Sequence, residues 1–503
     1  MLQRIRSVRR LLRLRWLLLA AIAAILAVAG VHAAKQSVFP FDVMRAALSP
    51  SARAVAPLRK AADGASVVIV VLDAMRADHV GCYGYPRDTT PNIDRLAEES
   101  VVFENHFAQF TRTKESTASL FTSQYPDTHC AYRARPLEKS AFTIARGMTE
   151  AGFRTAFFSS NLNVSPTMEL GRHFQDAYYD PQIHEETRDS ETRWTPTPLL
   201  RLFDRWLDTA RDTRYFAYIH LLPPHTPYEF PPEMATPFAG RTPPGFVGED
   251  YHPDEFDFPI GAIPHDDIFP LPEWINLYDS NLQYGDWAVG RIEESLREAG
   301  LLDSTVLIVT SDHGEGFGEH GFVWHGTGVH DELSHIPLLI RFPGGQVSGR
   351  LSSLSETVDL LPTIFDLFRL SYPRDQVQGR SLLGCIAGSE SGVRDYAFTR
   401  AAQHHDKYMM RGSEHALLLW GNGEWRTLYD LRTDPKQNRN VIDEQPEIAD
   451  AMAAKFEEFA KAQRVPPVNF LDPNAEKPKL PLVDETRLGP EAKKTLRALG
   501  YLD

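Results

Sequence analysis

The sequence predicts an α/β fold in which a large, mostly parallel sheet is flanked by helices and followed by a small α+β C-terminal subdomain. Continuous runs of β-branched and apolar residues, such as Ser66–Leu72 (SVVIVVL), recur along the chain. Such runs are typical of parallel strands that are buried on both faces. Helical segments separate them, and strand–helix alternation is typical of a parallel sheet with helices on both faces. From about residue 391 the pattern changes to short strands and then a helix near Glu447–Lys461, which predicts the subdomain.

Further elements follow from the same patterns. A helix is expected over 91–100, because proline is favoured at the first position of a helix and Pro91 stands there. A longer helix is expected over 277–299, ending at Gly300. The other expected strands of the large sheet are Thr155–Ser159, Tyr215–His220, Thr305–Thr310 and Ile336–Phe342, and those of the subdomain are Tyr408–Arg411, Ala416–Trp420 and Arg426–Tyr429.

Composition divides the chain into five segments, and 503 residues exceed what a single core usually holds. A proline-rich, acidic stretch from Pro231 to Pro272 has no clear periodicity, and a loop of this length is usually a lid or else disordered. A lid is favoured because the stretch directly follows the His-rich segment at 220–228. The segments are an N-terminal targeting or anchoring segment (1–35), a linker (36–64), the large α/β domain (65–390), the C-terminal subdomain (391–465) and a Pro/Lys-rich tail (466–503).

The N-terminal segment predicts export of the rest of the chain. An uncharged apolar run from Trp16 to Val31 follows six arginines, and positive charge before such a run keeps the N-terminus in the cytoplasm. The long basic lead favours an uncleaved membrane anchor. The sequence around His32 also resembles a signal-peptidase site, so a secreted or periplasmic protein with a cleaved signal peptide is the alternative. The arginines are Arg4, Arg6, Arg9, Arg10, Arg13 and Arg15.

Charge and cysteine content exclude several classes of protein. The formal net charge of −14 argues against a nucleic-acid partner, because nucleic-acid binding requires a basic face. Three cysteines are too few for a disulfide framework. No Cys/His spacing of the kind that binds zinc through thiolates is present.

Polar clusters follow the predicted strands at the edge of the sheet where ligands bind in α/β folds. Asp73 ends the first strand, and a buried carboxylate there requires a cation or hydrogen-bond donors. Similar clusters are found at 220–228 (HLLPPHTPY) and 310–315 (TSDHGE), and a Ser/Thr-rich segment occupies 111–122. Singly, each could be a turn, a helix cap or a polar loop. Together, at the ends of successive strands, they favour a functional site.

These residues form a chemically coherent set. Asp73, Asp312 and His313 provide two carboxylates and one imidazole, which suit a single divalent metal per chain: Ca²⁺, Mg²⁺, Mn²⁺ or Zn²⁺. A threonine hydroxyl is a poor nucleophile unless a metal or base lowers its effective pKa. The groups that could offset negative charge developing on a reacting ester are Arg112, Lys114, His225 and His325.

Several motifs, in order from about residue 66 to 460, resemble the bacterial sulfatase family of the alkaline phosphatase superfamily. They include LDAMRADHVGCYGY, TPNIDRLAEESVVFENHFAQ, TASLFTSQYPDTH, IHLLPPHTPY, TSDHGEGFGEHGFVWHG, DELSHIPLLIRFPG and LYDLRTDPKQNRNV. The resemblance implies the family's large catalytic α/β domain with its small C-terminal subdomain. It implies metal ligands at Asp73, Asp312 and His313, and substrate-contacting groups at His225 and His325. Thr113 stands at the nucleophile position, which also contacts the metal, with Arg112 and Lys114 beside it.

Two departures from the family pattern change the expected chemistry. The Cys-x-Pro-Ser-Arg signature, whose cysteine is oxidised to formylglycine, is replaced by residues 113–117 (TKEST), and Thr113 cannot become formylglycine. The family's paired aspartates are Asp73-Ala74 here, so one potential ligand is absent. A threonine nucleophile resembles the superfamily's phosphodiesterases and its phosphoethanolamine or phosphoglycerol transferases.

The expected function is therefore an exported, metal-dependent hydrolase or transferase. Its expected substrates are phosphate esters, with sulfate esters second, of a small molecule, glycan or lipid. The membrane is contacted only through the N-terminal segment, and no nucleic acid is bound. The alternative is an inactive sulfatase-like binding protein.

Overall fold

The computed structural model describes residues 53–132, 135–179, 196–226, 228, 237–238, 240–244, 271–321, 323–402, 406–420 and 425–464. The N-terminal segment, most of the expected lid and the tail lie outside these residues. In the part of the chain that is described, no helix is long and apolar enough to span a bilayer. The three cysteines are unbridged.

Strands and helices alternate through the large domain. In chain order, the described strands are β1 (Ser66–Leu72), β2 (Val101–Phe107), β3 (Arg154–Ser159), β4 (Asp176–Tyr178), β5 (Tyr215–Leu221), β6 (Thr305–Ser311), β7 (Gly316–Phe317), β8 (Val323–Trp324), β9 (Leu338–Arg341), β10 (Gly349–Glu356), β11 (Ala397–Ala401), β12 (Lys407–Arg411), β13 (His415–Trp420) and β14 (Trp425–Asp430). The described α-helices are α1 (Ala56–Ala61), α2 (Pro91–Glu98), α3 (Thr113–Thr122), α4 (Pro126–His129), α5 (Ile144–Glu150), α6 (Pro196–Ala210), α7 (Leu271–Glu298), α8 (Asp331–Ser334), α9 (Leu360–Leu367), α10 (Leu383–Ile386) and α11 (Pro446–Lys461).

The large sheet is mostly parallel, as predicted. Within the described residues it has eight strands in the order β10-β2-β9-β6-β1-β5-β3-β4. The central strand β1 pairs in parallel with β5 and β6. The segment 336–342 was expected to be a strand of the mostly parallel sheet like the others. It forms β9, which runs antiparallel to both of its neighbours, β2 and β6. Between β6 and β9 the chain forms only the hairpin β7–β8 and the short helix α8. A parallel β9 would need a longer crossover connection, usually a helix, to return the chain to the end of the sheet where β6 begins.

Helices cover both faces of the sheet, which confirms the layered architecture. Every residue of β1 is buried. Val67, Ile69 and Val71 pack on one face with residues of α3, α5 and α9. Val68 and Val70 belong to the opposite core, with residues of α2, α6 and α7. The alternation explains why residues 67–72 of β1 form a continuous apolar run.

The C-terminal subdomain is a four-stranded antiparallel sheet, β11-β12-β13-β14, with α11 packed on one face. This confirms the predicted α+β subdomain. Arg400 in β11 forms ion pairs with Asp127 and Asp406. A backbone bridge joins Phe110 to Arg400. The subdomain is therefore joined to the large domain close to the segment that begins α3.

Helix α1 lies inside the segment that was predicted to be a linker. Its Leu58 is buried in the core formed with α5 and α9. The Arg59 side chain donates a hydrogen bond to the Asp366 carbonyl at 3.0 Å. The last residues before β1 are therefore packed against the large domain.

Acid sensitivity is expected at the β2–β10 edge of the sheet. His106 is fully buried, and its Nδ1 lies 2.9 Å from Ser355 Oγ. Burial lowers the pKa of His106 to about 3, with the neighbouring His335 and Arg394 acting in the same direction. An unfolded imidazole titrates near about 6.5. The unfolded chain therefore binds the extra proton, and stability decreases as pH falls from that value towards 3.

The free energy of unfolding should fall by about 2 kcal/mol between pH 7 and pH 5 through this group. His106→Gln should reduce that difference, measured by urea denaturation at the two pH values. Ser355→Ala is the control, since it removes the hydrogen bond but keeps the imidazole, and should retain the wild-type pH difference. An unchanged pH difference in His106→Gln would contradict the assignment.

Candidate metal centre

The candidate site lies where β6, β1 and β5 end side by side. Leu72, the last residue of β1, is in register with Leu221 of β5 and Ser311 of β6. Asp73 and Asp312 follow directly and are buried at the carboxyl edge of the sheet. Helix α3 begins at the same edge, because Ser116 Oγ donates a hydrogen bond to the Asp312 carbonyl at 2.6 Å.

The imidazole of His313 faces both carboxylates. Its Nδ1 lies 2.8 Å from the carbonyl oxygen of Gly314, which can only accept, so Nδ1 donates there. The other ring nitrogen, Nε2, lies 3.6 Å from Asp73 Oδ1 and 3.5 Å from Asp312 Oδ2. One imidazole nitrogen and two carboxylate oxygens therefore face one another, and with Nε2 free of a proton all three can bind a cation.

These atoms fit a divalent cation. Asp73 Oδ1 and Asp312 Oδ2 are buried and have no hydrogen-bond partner among the described residues. Burial, followed by the charge of Asp73, raises the pKa of Asp312. A buried, unpaired carboxylate is costly, and two that face each other are more so. Two carboxylate oxygens and one imidazole nitrogen form a donor set that Mg²⁺, Mn²⁺, Ca²⁺ and Zn²⁺ accept.

Two residues that sequence reasoning did not assign orient Asp73. Its Oδ2 accepts hydrogen bonds from Asn161 Nδ2 at 2.6 Å and from His220 Nε2 at 3.1 Å. Since Nε2 of His220 donates, its Nδ1 accepts from the Tyr218 hydroxyl at 2.9 Å. His220 therefore orients Asp73, a candidate metal ligand. Its ring also lies close to Asp73 and Asp312, at a distance at which it could itself bind the cation. The sequence signal for Asn161 is its position two residues after β3, and a turn would explain that position equally well.

Thr113 is the first residue of α3, and the structure brings it to the centre. Its side chain is buried, and its Oγ1 lies 3.2 Å from His313 Nε2. The side chain of Arg112 passes over Gly326, where a Cβ would lie within 2.8 Å of it. The backbone of Gly326 is left-handed, with a φ of +87°. Glycine is therefore required at that position both for its backbone conformation and for space.

Lys114 follows Thr113 and is fully buried. Its ammonium donates to the Arg135 carbonyl at 3.2 Å. Burial lowers the pKa of Lys114 to about 8. Its contribution to the site stays a prediction.

His225 and His325 meet at the rim of the site. Both are partly buried, and their ring centroids lie 4.9 Å apart. The ring of His325 also stacks on His313 at 4.4 Å. Glu315, which sequence reasoning did not assign, holds His325 through a 3.1 Å contact between its Oε1 and Nδ1. Burial raises the pKa of Glu315 to about 7, although His225 and His313 act in the opposite direction.

A second group, His320, His330 and Glu332, has the residue types of a metal site but not the geometry. The two rings stack almost parallel, with centroids 3.8 Å apart and an interplanar angle of 2°. Imidazole nitrogens bind metals in the ring plane, and lone pairs of parallel stacked rings do not converge on one ion. His320 instead joins the domains, because its Nε2 lies 3.1 Å from the carbonyl oxygens of Lys436 and Gln437.

Comparison with known proteins agrees with the fold. Residues 65–370 match the family described as Sulfatase. The chain belongs to the sulfatase family. Residues 318–463 match the family described as N-sulphoglucosamine sulphohydrolase, C-terminal. Membership of the sulfatase family makes the chain a hydrolase of the sulfatase/alkaline phosphatase superfamily, whose enzymes are generally metal-dependent.

Individual sulfatase-family relatives match most of the chain. An arylsulfatase of Clostridium perfringens is 25% identical over 437 residues, covering 75% of this chain and 90% of that protein. Human N-sulphoglucosamine sulphohydrolase is 28% identical over 368 residues, covering 67% of this chain and 68% of that protein. The crystal structure of the phosphonate monoester hydrolase of Agrobacterium radiobacter superposes with a TM-score of 0.66 at 21% identity, covering 79% and 96% of the two chains.

Metal binding at Asp73 and Asp312 can be tested through stability. In metal-free buffer, Asp312→Asn should melt no lower than wild type, because it removes a buried like-charge repulsion. One or more of Mg²⁺, Ca²⁺, Mn²⁺ and Zn²⁺ should stabilise wild type by about 2–3 kcal/mol at a hundredfold excess over Kd. Asp73→Asn/Asp312→Asn should lose that response and the bound metal, measured by thermal melting and elemental analysis.

Asp450→Asn provides the control, since Asp450 is exposed in α11 and pairs only with Arg426 among the described residues. It should retain the metal content and the stabilisation. Equal metal content in wild type and the double variant would place the ion elsewhere.

Proposed function

We propose that the chain is an exported, metal-dependent enzyme that cleaves or transfers phosphate esters with Thr113 as its nucleophile. The observation that carries the proposal is the 3.2 Å contact between Thr113 Oγ1 and His313 Nε2, beside two unpartnered carboxylate oxygens. Export is supported by the arginine-flanked apolar run at residues 4–31, which lies outside the described residues.

Asp73, Asp312 and His313 would hold the cation, and Thr113 completes the group around it. When bound, the cation supplies positive charge that stabilises an anionic ester in the transition state. The N-terminus of α3 adds a partial positive charge at the residue that attacks. Burial of Thr113 excludes bulk water from its hydroxyl, so these interactions act in a medium of low dielectric.

In the first half-reaction, Thr113 Oγ attacks phosphorus in line with the leaving oxygen. The bond from Oγ to phosphorus forms as the hydroxyl proton passes to a phosphoryl oxygen of the substrate, the bond to the leaving oxygen breaks, and a phosphoryl-threonine results. Arg112 is positioned to offset the charge of the phosphoryl oxygens. His225, at the rim, is positioned to protonate the leaving oxygen, because its pKa is raised: burial lowers the pKa, but the charges of Asp73 and Glu315 outweigh burial. Burial lowers the pKa of His325 well below its usual value, so its neutral ring is positioned to contact the substrate.

The second half-reaction decides between hydrolase and transferase. Water attacks the phosphoryl-threonine in a hydrolase, and an acceptor hydroxyl attacks in a transferase. In both cases the bond between phosphorus and Thr113 Oγ breaks and the hydroxyl is restored. The relatives are named as sulfatases, which favours hydrolysis.

An inactive binding protein is the competing proposal. The clustered buried carboxylates argue against it, because charge of this kind destabilises a fold that has no use for a cation. The nucleophile variants separate the two possibilities.

Removal of the Thr113 hydroxyl should abolish turnover. Thr113→Ala should lower kcat by about a thousandfold or more, since the attacking oxygen is lost, while the fold and bound metal remain. Thr113→Ser keeps a hydroxyl and should retain measurable activity. Thr122→Ala, at the other end of α3, is the control and should turn over at nearly the wild-type rate. Full activity of Thr113→Ala would exclude Thr113 as the nucleophile.

Phosphate esters should react faster than sulfate esters with the same leaving group. A sulfated threonine cannot collapse to an aldehyde as a sulfated formylglycine hydrate can, whereas phosphoryl-threonine can be attacked again at phosphorus. The kcat/KM of p-nitrophenyl phosphate should therefore exceed that of p-nitrophenyl sulfate, with each metal tested in turn. A preference for the sulfate would require a different nucleophile.

A further inference from the structure

The hairpin β7–β8 is connected at both ends to the candidate metal centre. It begins directly after Glu315, and its last residue is followed by His325, whose ring stacks on His313 at 4.4 Å. Glu315 Oε1 lies 3.1 Å from Nδ1 of His325. A displacement of the hairpin would therefore move two side chains of the site, and the contacts that hold the hairpin also hold Glu315 and His325.

Arg76 holds the base of the hairpin against the segment that follows β1. Its Nη1 donates hydrogen bonds to the carbonyl oxygen of Glu315 at 3.0 Å and to the carboxylate of Glu319. Its guanidinium lies over the ring of Phe317, 4.9 Å from the centroid. The Glu319 carboxylate also accepts a hydrogen bond from the backbone N–H of Phe317 at 2.7 Å. Because arginine stays charged in proteins, the cation of this attachment is permanent.

His320 holds the tip of the hairpin through both of its ring nitrogens. Nδ1 lies 2.7 Å from Glu332 Oε1, and Nε2 lies 3.1 Å from the carbonyl oxygens of both Lys436 and Gln437 in the subdomain. A carbonyl oxygen can only accept a hydrogen bond, and the same is true of an ionised carboxylate. Only the doubly protonated ring can donate on both sides, so these contacts favour the imidazolium form of His320.

The subdomain turn that meets His320 is attached to α8 by a second residue. Gln437 is buried and left-handed, with a φ of +57°. Its Nε2 donates to Asp331 Oδ1 at 2.8 Å, and its Oε1 accepts from the Asp331 N–H at 3.2 Å. These two hydrogen bonds keep the carbonyl oxygens of the turn facing the ring of His320.

The surroundings of His320 favour a single positive charge. Burial lowers the pKa of His320, but the hydrogen bond and the charge of Glu332 outweigh burial and raise the pKa above its ordinary value. The ring of His330 stacks parallel to His320 at 3.8 Å. Burial, followed by the charge of His320, lowers the pKa of His330 well below its usual range, so that ring stays neutral. A neutral aromatic ring attracts a cation stacked on it, whereas a second imidazolium would repel the first.

Other charged or titratable groups reach this junction from the hairpin, α8, β12 and β14. They are Arg76, Glu319, Asp331, Lys407, Arg411 and Tyr429. Ordinary carboxylates and basic side chains keep their charge between pH 6 and pH 9. Burial raises the pKa of Tyr429 to about 12, so its hydroxyl stays neutral over the same range. The charge that changes at the junction in this range is therefore that of His320 and its partner Glu332.

We propose that His320 is a proton-controlled anchor of the hairpin β7–β8. As an imidazolium it holds the tip between Glu332 and the subdomain, and the tip is released when the ring gives up one proton to solvent. A neutral ring has one N–H for acceptors on two sides, so either Glu332 or the two carbonyl oxygens lose their donor. Since the hairpin carries Glu315 and His325 at its ends, the release also loosens the rim of the candidate metal centre.

Hydrogen–deuterium exchange of the full-length protein between pH 5 and pH 9 tests the anchor without relying on turnover. Because the pKa of His320 is raised in the folded protein, the anchor is complete below about pH 6.5, the ordinary value of histidine, and is lost as pH rises through the raised value. After correction for the intrinsic exchange rate, protection of peptides from the hairpin should fall about tenfold over this range, as expected for loss of a hydrogen bond to a charged group. The midpoint should lie above about pH 6.5.

Two variants separate the charge from the contact. His320→Gln does not titrate, so protection of the hairpin should stay near the low value of wild type at pH 9 throughout. Glu332→Gln keeps an acceptor oxygen but removes the charge that favours the imidazolium, so the midpoint should move below about pH 6.5. A contact without a proton-dependent role would lower protection without moving the midpoint.

His415→Gln is the matched control in the subdomain. The Nε2 of His415 lies 2.8 Å from Gln445 Oε1, on the far side of the subdomain sheet's turn from His320 in the chain. This variant should keep both the protection of the hairpin and the wild-type midpoint.

The effect on turnover rests on the proposed function: the kcat for p-nitrophenyl phosphate should fall with the same midpoint as the protection of the hairpin. Protection that does not change with pH in wild type would overturn the anchor, as would a His320→Gln protein that retains the pH dependence. If His320→Gln fails to fold, Glu332→Gln decides, and a wild-type midpoint in that variant contradicts the proposal. A wild type that turns over no phosphate ester at any pH would count against the proposed function alone, because the exchange result is independent of it.

Discussion

The structure depends on one electrostatic constraint: Asp73 and Asp312 are buried side by side without enough donors. Oδ2 of Asp73 and Oδ1 of Asp312 are held by neutral groups, Asn161 and the Ala74 N–H among them. The other oxygen of each carboxylate faces Nε2 of His313 and has no hydrogen-bond partner among the described residues. Two carboxylates in this arrangement cannot both be ionised at low cost unless a cation joins them. A cation bound here would therefore stabilise the folded edge of the sheet.

The sheet order follows from that constraint. β1 must lie between β5 and β6 and be parallel to both, so that Asp73, His220 and Asp312 meet at one edge. The reversed strand β9 lies beyond β6 and leaves this edge intact. Helix α3 must begin at the same edge of the sheet. The hydrogen bond from Ser116 Oγ to the Asp312 carbonyl holds it there.

Sequence patterns were sufficient for features that depend only on residues adjacent in the chain. The run of β1 predicts a strand buried on both faces, and Asp73 after it predicts a site. The direction of β9 could not be predicted, because an apolar run in a parallel strand and in a buried antiparallel strand looks the same. Glu315 and Asn161 were missed because their roles depend on contacts across the fold. Asn161 is 88 residues from Asp73 in the chain, and a lone asparagine after a strand equally predicts a turn.

Some non-glycine residues with a left-handed backbone lie at the ends of helices, and others lie beside the candidate site. Ser123, Cys130 and Glu169 are such residues, and each follows a helix as its C-cap, where this conformation is usual. Ala74 is also left-handed, with a φ of +64°, and its N–H donates to Asp312 Oδ1 at 3.1 Å. The left-handed backbone of Ala74 therefore holds a ligand of the candidate metal centre in place. Trp324 is left-handed as well, with a φ of +69°, and it caps no helix but directly precedes His325, whose ring stacks on His313.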